Sequence, residues 1–257
     1  MSSWRGWCRG STMCVVAEGG VLATRIPGWI KKTGLVLLGF SVIAAVLARA
    51  VDYRGWLRSQ VAVPRGAAGR LVALTMPMYH KVLYGPAAEL LQLEADDELV
   101  EIACGSGVLL QEHAGHVKRV AGLDLSGIQV DLARRRLRGR IAAGTAEIVQ
   151  GDALALPWVD DSFTAATCVG SMEYFSDPGE ALREMWRVLR PSGRIAVTYG
   201  INDSDEQFVQ EAERWGIPHP SEAEAQKLIE DAGFSLVSIT YLKGDFPARF
   251  LQGVKPE

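Results

Sequence analysis

The sequence is short of several things, and each shortage removes a class of function. Cysteine is scarce: the four in 257 residues (Cys8, Cys14, Cys104, Cys168) form no C-x-x-C pair. That spacing argues against a disulfide framework or a zinc ribbon. There is no excess of basic charge. Lys and Arg number 27 against 30 Asp and Glu, a net charge of −3, which argues against a nucleic-acid partner held by bulk charge. Gly (27) and Pro (11) are too few for a collagen-like or low-complexity chain. His113 and His116 have H-x-x-H spacing but no third ligand, so no metal site is expected. With 48% hydrophobic and 22% charged residues, the chain reads as globular rather than disordered.

What is present is unevenly spread. Residues 1–60 hold eight Arg and Lys against Glu18 and Asp52, a balance of +6 that leaves −9 for the remainder. Four of the seven Trp also lie there: Trp4, Trp7, Trp29 and Trp56. Thr33 to Ala48 is an uncharged apolar run, preceded by Lys31 and Lys32 and followed by Arg49. A membrane-spanning helix needs about 17–25 apolar residues, and Ala50 and Val51 extend the run. Trp29 and Trp56 bracket it at about 40 Å, taking about 1.5 Å per helical residue. The expectation is a poorly ordered segment over 1–28, a membrane-anchor helix over 29–56 and a linker over 57–70. The basic residues after the run put the C-terminal side in the cytoplasm, with an unanchored cytoplasmic chain as the alternative. A surface-lying amphipathic helix and a cleavable signal ending near Ala48-Arg49-Ala50 are the other readings of the run.

Beyond residue 70 the pattern changes. Leu71–Leu93 reads as a helix with a break near Gly85-Pro86. From Glu98 short apolar runs alternate with amphipathic stretches. Strands are predicted at Leu99–Ala103, Arg119–Leu123, Ala146–Gln150, Phe163–Val169 and Arg194–Tyr199. Helices are predicted at Val108–Ala114, Ser126–Arg138, Pro178–Leu189 and Ser221–Ala232. Ser126 with Gln129 and Ser221 with Glu224 read as capping boxes. Asp177 followed by Pro178 reads as a helix start. Pro191-Ser192-Gly193 reads as a turn. Strands separated by helices imply a doubly wound, mostly parallel sheet. The last two runs, Phe234–Tyr241 and Ala248–Val254, are joined too closely for a crossover and should pair antiparallel. The segment Gly200–Pro220 reads as short and polar.

Gly105-Ser106-Gly107 follows the first of these strands and opens a helix, where a doubly wound fold binds nucleotides. A dinucleotide loop needs a third glycine; that position is Leu110. Asp124 closes the second strand, where a carboxylate can accept ribose hydroxyls. Asp152 follows the third and can accept from an exocyclic amine. The site therefore reads as nucleoside-binding without a diphosphate, and S-adenosylmethionine (SAM) has that chemistry.

At this point the sequence resembles the class I SAM-dependent methyltransferases, over about Ala73–Val254. Glu101–Gly107 (EIACGSG) is similar to their E-x-G-x-G-x-G loop, with Ala103 at the first glycine. Gly151–Trp158 with Asp161–Phe163, and Val188–Arg194, resemble two further family runs. The flavour is that of the ubiquinone and menaquinone methyltransferases. The resemblance implies a seven-stranded Rossmann-like sheet over residues 71–257, SAM as cofactor and a small, lipophilic methyl acceptor. It implies cofactor contacts at Glu101, Ala103, Cys104, Gly105, Gly107, Asp124, Leu125, Asp152, Ala153 and Val169, with Glu101 orienting the SAM amino group. The acceptor should meet the helix before the first strand and the loops after the fourth and fifth. Tyr84, His80 and Glu173 are the catalytic candidates there, with Tyr79, Ser171, Tyr174 and Tyr199 nearby. A soluble-metabolite methyltransferase, a nucleotide-dependent oxidoreductase and a non-catalytic binding module are the competing readings. Arg134, Arg135, Arg136, Arg138 and Arg140 read as a solvated face, with anionic headgroups as a second possibility.

Overall fold

The structure is a computed structural model, and the residues it describes are 5–8, 12–17, 20–25, 53–200, 206–242 and 247–257. The chain divides into two units, Met1–Trp56 and Leu57–Glu257. In the first, β1 (Arg5–Cys8), β2 (Thr12–Ala17) and β3 (Gly20–Arg25) pair antiparallel in that order. No periodicity in the sequence over 1–28 predicts these strands. The apolar run 33–48 lies outside the described residues. Among those described, no helix is long and apolar enough to cross a membrane.

The second unit is built on a seven-stranded sheet. Its strands are β4 (Glu98–Ile102), β5 (Arg119–Asp124), β6 (Ala146–Gln150), β7 (Phe163–Cys168), β8 (Leu189–Thr198), β9 (Ser235–Leu242) and β10 (Ala248–Val254). Their order is β6-β5-β4-β7-β8-β10-β9. The first five run parallel, and β10 lies antiparallel between β8 and β9. All five residues of β4 are buried, as a strand covered on both faces requires. On one face Leu83, Ala87 and Leu91 pack with Leu109, Leu110, Val130 and Ala133. On the other, Leu182, Met185 and Ile229 pack with Phe163 and Ile195. The chain leaves β4 toward β5 and β6, then returns to the far side of β4 for β7 and β8. That reversal opens a crevice at the carboxyl ends of the strands.

Several expectations change. The linker over 57–70 is mostly helical: α1 (Tyr53–Ala62) is followed by α2 (Gly66–Leu91). The latter runs unbroken through Pro77 and Pro86. Ser126 precedes the helix Gly127–Arg136 but makes no capping bond; its Oγ donates to the Pro64 carbonyl at 2.8 Å. The Ser221–Glu224 capping box forms, and Asp177 accepts from the Glu180 N–H. Pro191–Gly193 bulges within β8, where the pairing slips and Ser192 takes φ +64°. Residues 206–215 form a helix in the segment read as short and polar.

Candidate functional site

The crevice is a cleft lined from α2 and from the ends of β4, β5 and β7, a concave place of the kind where small molecules bind. The loop after β4 forms its floor. Gly105 takes φ +52° and Gly107 φ +71°, conformations that glycine adopts without strain. Ala103 takes φ +55°. Its methyl group therefore costs strain at the position where the family carries glycine, a point that its small size alone does not reveal. Gly105 and Ala103 line the cleft. Gly107 does not; a Cβ there would meet the Ala133 Cβ at 3.2 Å. Its part is to let the loop lie close against the helix Gly127–Arg136.

Three carboxylates mark the strand ends. Asp124 Oδ2 accepts from the Gly105 N–H at 2.9 Å and Oδ1 from the Ser126 N–H at 2.8 Å. These bonds lock the loop to the end of β5. Burial raises the Asp124 pKa against the opposing effect of those two bonds. Glu101 is buried, and its Oε2 has no hydrogen-bond partner among the described residues. Burial, and then the neighbouring Asp124, push its pKa well above the usual carboxylate range. A buried acceptor left unsatisfied is costly, and a cationic ligand group in the cleft relieves that cost. Asp152 is exposed at the rim, and its Oδ1 accepts from the Leu154 N–H at 3.0 Å. Cys104, Leu125, Ala153 and Val169 complete the predicted set along the walls. Burial raises the Cys104 thiol well above its ordinary pKa, so the thiol is an inert wall rather than a nucleophile.

The acceptor side is less uniform. His80 and Tyr84 line the cleft from α2. The His80 ring lies against Gly170, where an added Cβ would be 3.4 Å from it. Burial lowers the His80 pKa, keeping the imidazole neutral and able to take a proton. Burial, and then Glu101, push the Tyr84 phenol up. Glu173 is not among the residues lining the cleft. It is half-buried beneath it and accepts from the Gly200 N–H at 2.8 Å. Ser171 and Tyr174 line the cleft; Tyr79 points outward and is exposed.

Sequence reasoning missed one wall. Val61 to Pro64, at the end of α1 and in the turn that leads to α2, line the cleft with Met76 and Gln129. The turn is held by the Ser126–Pro64 bond and by the Arg65 N–H donating to Gln60 Oε1 at 3.0 Å. Gln129 Nε2 donates to the Met76 sulfur at 3.2 Å, while Gln129 Oε1 and the buried Ser106 Oγ have no partner among the described residues. The signal for Gln129 was its misread place in a capping box. For the turn there was none, since it reads as an ordinary linker.

The arginine run is largely structural. Arg134 donates to the Ile148 carbonyl, Arg136 to that of Ser106, and Arg140 to those of Ala114 and Val117. Among the described residues no cluster of His, Cys, Asp and Glu is arranged to hold a metal.

The donor set fits SAM. A buried, unsatisfied carboxylate suits the ammonium of its amino-acid tail, a strand-end aspartate suits its ribose, and the glycine loop lets the backbone approach. Comparisons with known proteins agree. Residues 100–197 match the methyltransferase domain family. The chain is 32% identical over 110 residues to a demethylmenaquinone methyltransferase of Lactobacillus johnsonii, covering 42% of this chain and 45% of that protein. It is 28% identical over 199 residues to a ubiquinone/menaquinone biosynthesis C-methyltransferase of Ectopseudomonas mendocina, covering 65% and 76%. The chain spans about half the length of several curated relatives it matches. A solved chain from the complex of the Haloferax volcanii Trm112 methyltransferase activator with a methyltransferase superposes with a TM-score of 0.63. It is 22% identical, with 74% of this chain and 95% of that one covered. The glycine loop and the strand-end carboxylates thus lie in the stretch, residues 100–197, that matches the methyltransferase domain family.

Proposed function

We propose that the chain transfers a methyl group from SAM to a small, lipophilic acceptor. The observation that carries this reading is the meeting of Glu101, Asp124 and Asp152 in one cleft, at the ends of three adjacent strands. The bound cofactor supplies an electrophilic methyl on a sulfonium, so the protein's work is binding and orientation. Asp124 keeps the Gly105 loop in shape and offers its remaining lone pairs to the ribose. Glu101 holds the amino-acid tail through its unsatisfied oxygen. Asp152 and Ala153 meet the adenine at the rim. His80, neutral and in the cleft, takes a proton from an acidic acceptor. Tyr84 shapes the acceptor side; with its pKa raised it stays protonated and donates a hydrogen bond. Glu173 acts at one remove, fixing the chain at Gly200 after β8.

The acceptor class rests on the relatives, two of which are named for quinone methylation. The apolar run 33–48 supports a membrane tether with the catalytic domain on its cytoplasmic side. Extraction of membranes at alkaline pH tests that tether, which should hold the chain in the pellet.

Incubation with methyl-labelled SAM and a lipid extract tests the function. Label should enter a lipid-soluble product, and His80→Gln should slow its appearance about 10²-fold with SAM affinity unchanged. Label confined to water-soluble products overturns the acceptor class. No labelled product from any extract overturns the activity.

A further inference from the structure

The helix α2 carries one face more than its packing uses. Ala73, Leu83, Ala87 and Leu91 are buried, and Met76, Pro77, His80 and Tyr84 line the cleft. The opposite side should then be polar, as on a surface helix. It is not. Leu71 (66% exposed), Leu74, Met78 (80% exposed) and Val82 follow one another at three- and four-residue steps, with Tyr79 alongside. That spacing makes a single continuous apolar stripe.

The charges around it have one sign. Residues 53–88 contain Arg54, Arg58, Arg65, Arg70 and Lys81 and no Asp or Glu, in a chain whose net charge is −3. Arg65 and Arg70 are exposed at the stripe's amino-terminal end, and Lys81 is exposed beside Val82. Lys81 is partly committed, pairing with Glu112 at 2.9 Å. The far end closes on Glu89, which is exposed. An apolar stripe edged by cations suits a helix that lies in the plane of an anionic bilayer. A second copy of the chain would bring the same cations together across the contact. The stripe from Leu71 to Val82 also spans only about 16 Å at about 1.5 Å per residue, little for a stable dimer.

We propose that this face of α2 docks on the surface of a membrane containing anionic lipid, with Leu71, Leu74, Met78 and Val82 among the acyl chains and Arg65 and Arg70 at the headgroups. The helix then forms the partition between lipid and cleft, so that an acceptor leaving the bilayer has only its edge to pass. This deepens the reading of a lipophilic acceptor and rests on it for its purpose, though not for its test.

Met78 is its own reporter. Peroxide converts an exposed methionine to its sulfoxide, at a rate set by access from water. The full chain is oxidised alone, with phosphatidylcholine vesicles, and with vesicles containing about one-third phosphatidylglycerol, and Met78 is followed by mass spectrometry. Buried Met172 and Met185 are internal references. The anionic vesicles should slow Met78 oxidation about fivefold or more, phosphatidylcholine alone much less, and Arg65→Glu with Arg70→Glu should abolish the protection. Met172 and Met185 should be oxidised as slowly in that double variant as in the native chain. Both vesicle types accept a membrane tether, so a tether alone does not produce the difference. Unchanged Met78 oxidation on anionic vesicles overturns the proposal. So does protection without vesicles in a chain that elutes as a dimer, which would assign the stripe to a second copy. No acceptor is present, so either result leaves the methyl-transfer reading to its own test.

Discussion

At the scale of single residues the site is a balance of strain and unsatisfied charge. Ala103 holds φ +55°, where a side chain costs about 1–2 kcal/mol. Ala103→Gly removes that strain but frees the unfolded chain, at a cost of about 0.4–1 kcal/mol. The net gain should be about 0.5–1 kcal/mol, seen as a rise of about 1–4 °C in Tm; a fall in Tm would show the strain is absent. Glu173 is raised to about 7 by burial, against the bond from the Gly200 N–H. The folded state therefore holds this proton more tightly than the unfolded one. Its stabilising effect is full below the ordinary value of 4.5 and declines as pH rises to about 7. Above that window it is gone. Glu173→Gln keeps an acceptor for Gly200 and cannot ionise. Its stability advantage over the native chain should be near zero at pH 4 and grow to about 1–3 kcal/mol at pH 8. A difference independent of pH in urea titrations would contradict this. The places of Glu101, Asp124 and Asp152 could be read from sequence because each lies at or just past the end of a predicted strand. Glu173 could be placed in its loop but not beneath the cleft, because nothing in its neighbours tells which way a loop side chain turns.

At the scale of elements the two serines read as caps diverge. Ser221 closes a full capping box, and Ser221→Ala should cost about 1 kcal/mol with no effect on the site. Ser126 instead ties the turn at Pro64 to the start of its helix. Ser126→Ala should cost a similar amount and also speed SAM dissociation, since it loosens a cleft wall. Stopped-flow release rates separate the two variants; equal rates would show that the turn does not hold the cofactor. Both segments offer a serine with a Glu or Gln three residues on, and only the partner across the fold decided its use. The helix Glu206–Trp215 was legible and overlooked. Phe208, Val209, Ala212 and Trp215 recur at helical spacing, but the acids between them made the segment read as polar loop. The continuity of α2 was less legible. Gly85-Pro86 is a breaker by local rule, and the helix survives because Leu83, Ala87 and Leu91 are buried against the sheet.

At the scale of the molecule the opening charge balance divides the chain differently from the first reading. The basic stretch does not stop at the apolar run; with Asp52 its only acid after Glu18, it continues through α1 and α2 to Ala88. Those helices line one wall of the cleft with Val61 to Pro64, Met76, His80 and Tyr84. The strongly acidic remainder supplies the sheet and the carboxylates. The mostly parallel sheet and the antiparallel closing pair follow from the strand–helix alternation and from one short connection, which is why they were readable without contacts. The wall formed by α1 and its turn was not, because a segment with no periodicity of its own takes its place only from what it packs against.

The central claim is that Asp124 and the loop it holds form the SAM site. Calorimetric titration of the full chain with SAM, beside Asp124→Ala, tests it most directly. The native chain should bind at one site, and the variant, which loses the carboxylate that locks Gly105 and meets the ribose, should bind about 10²-fold more weakly or not measurably. Binding of SAM by folded Asp124→Ala at native affinity would contradict the account, as would the absence of SAM binding by the native chain.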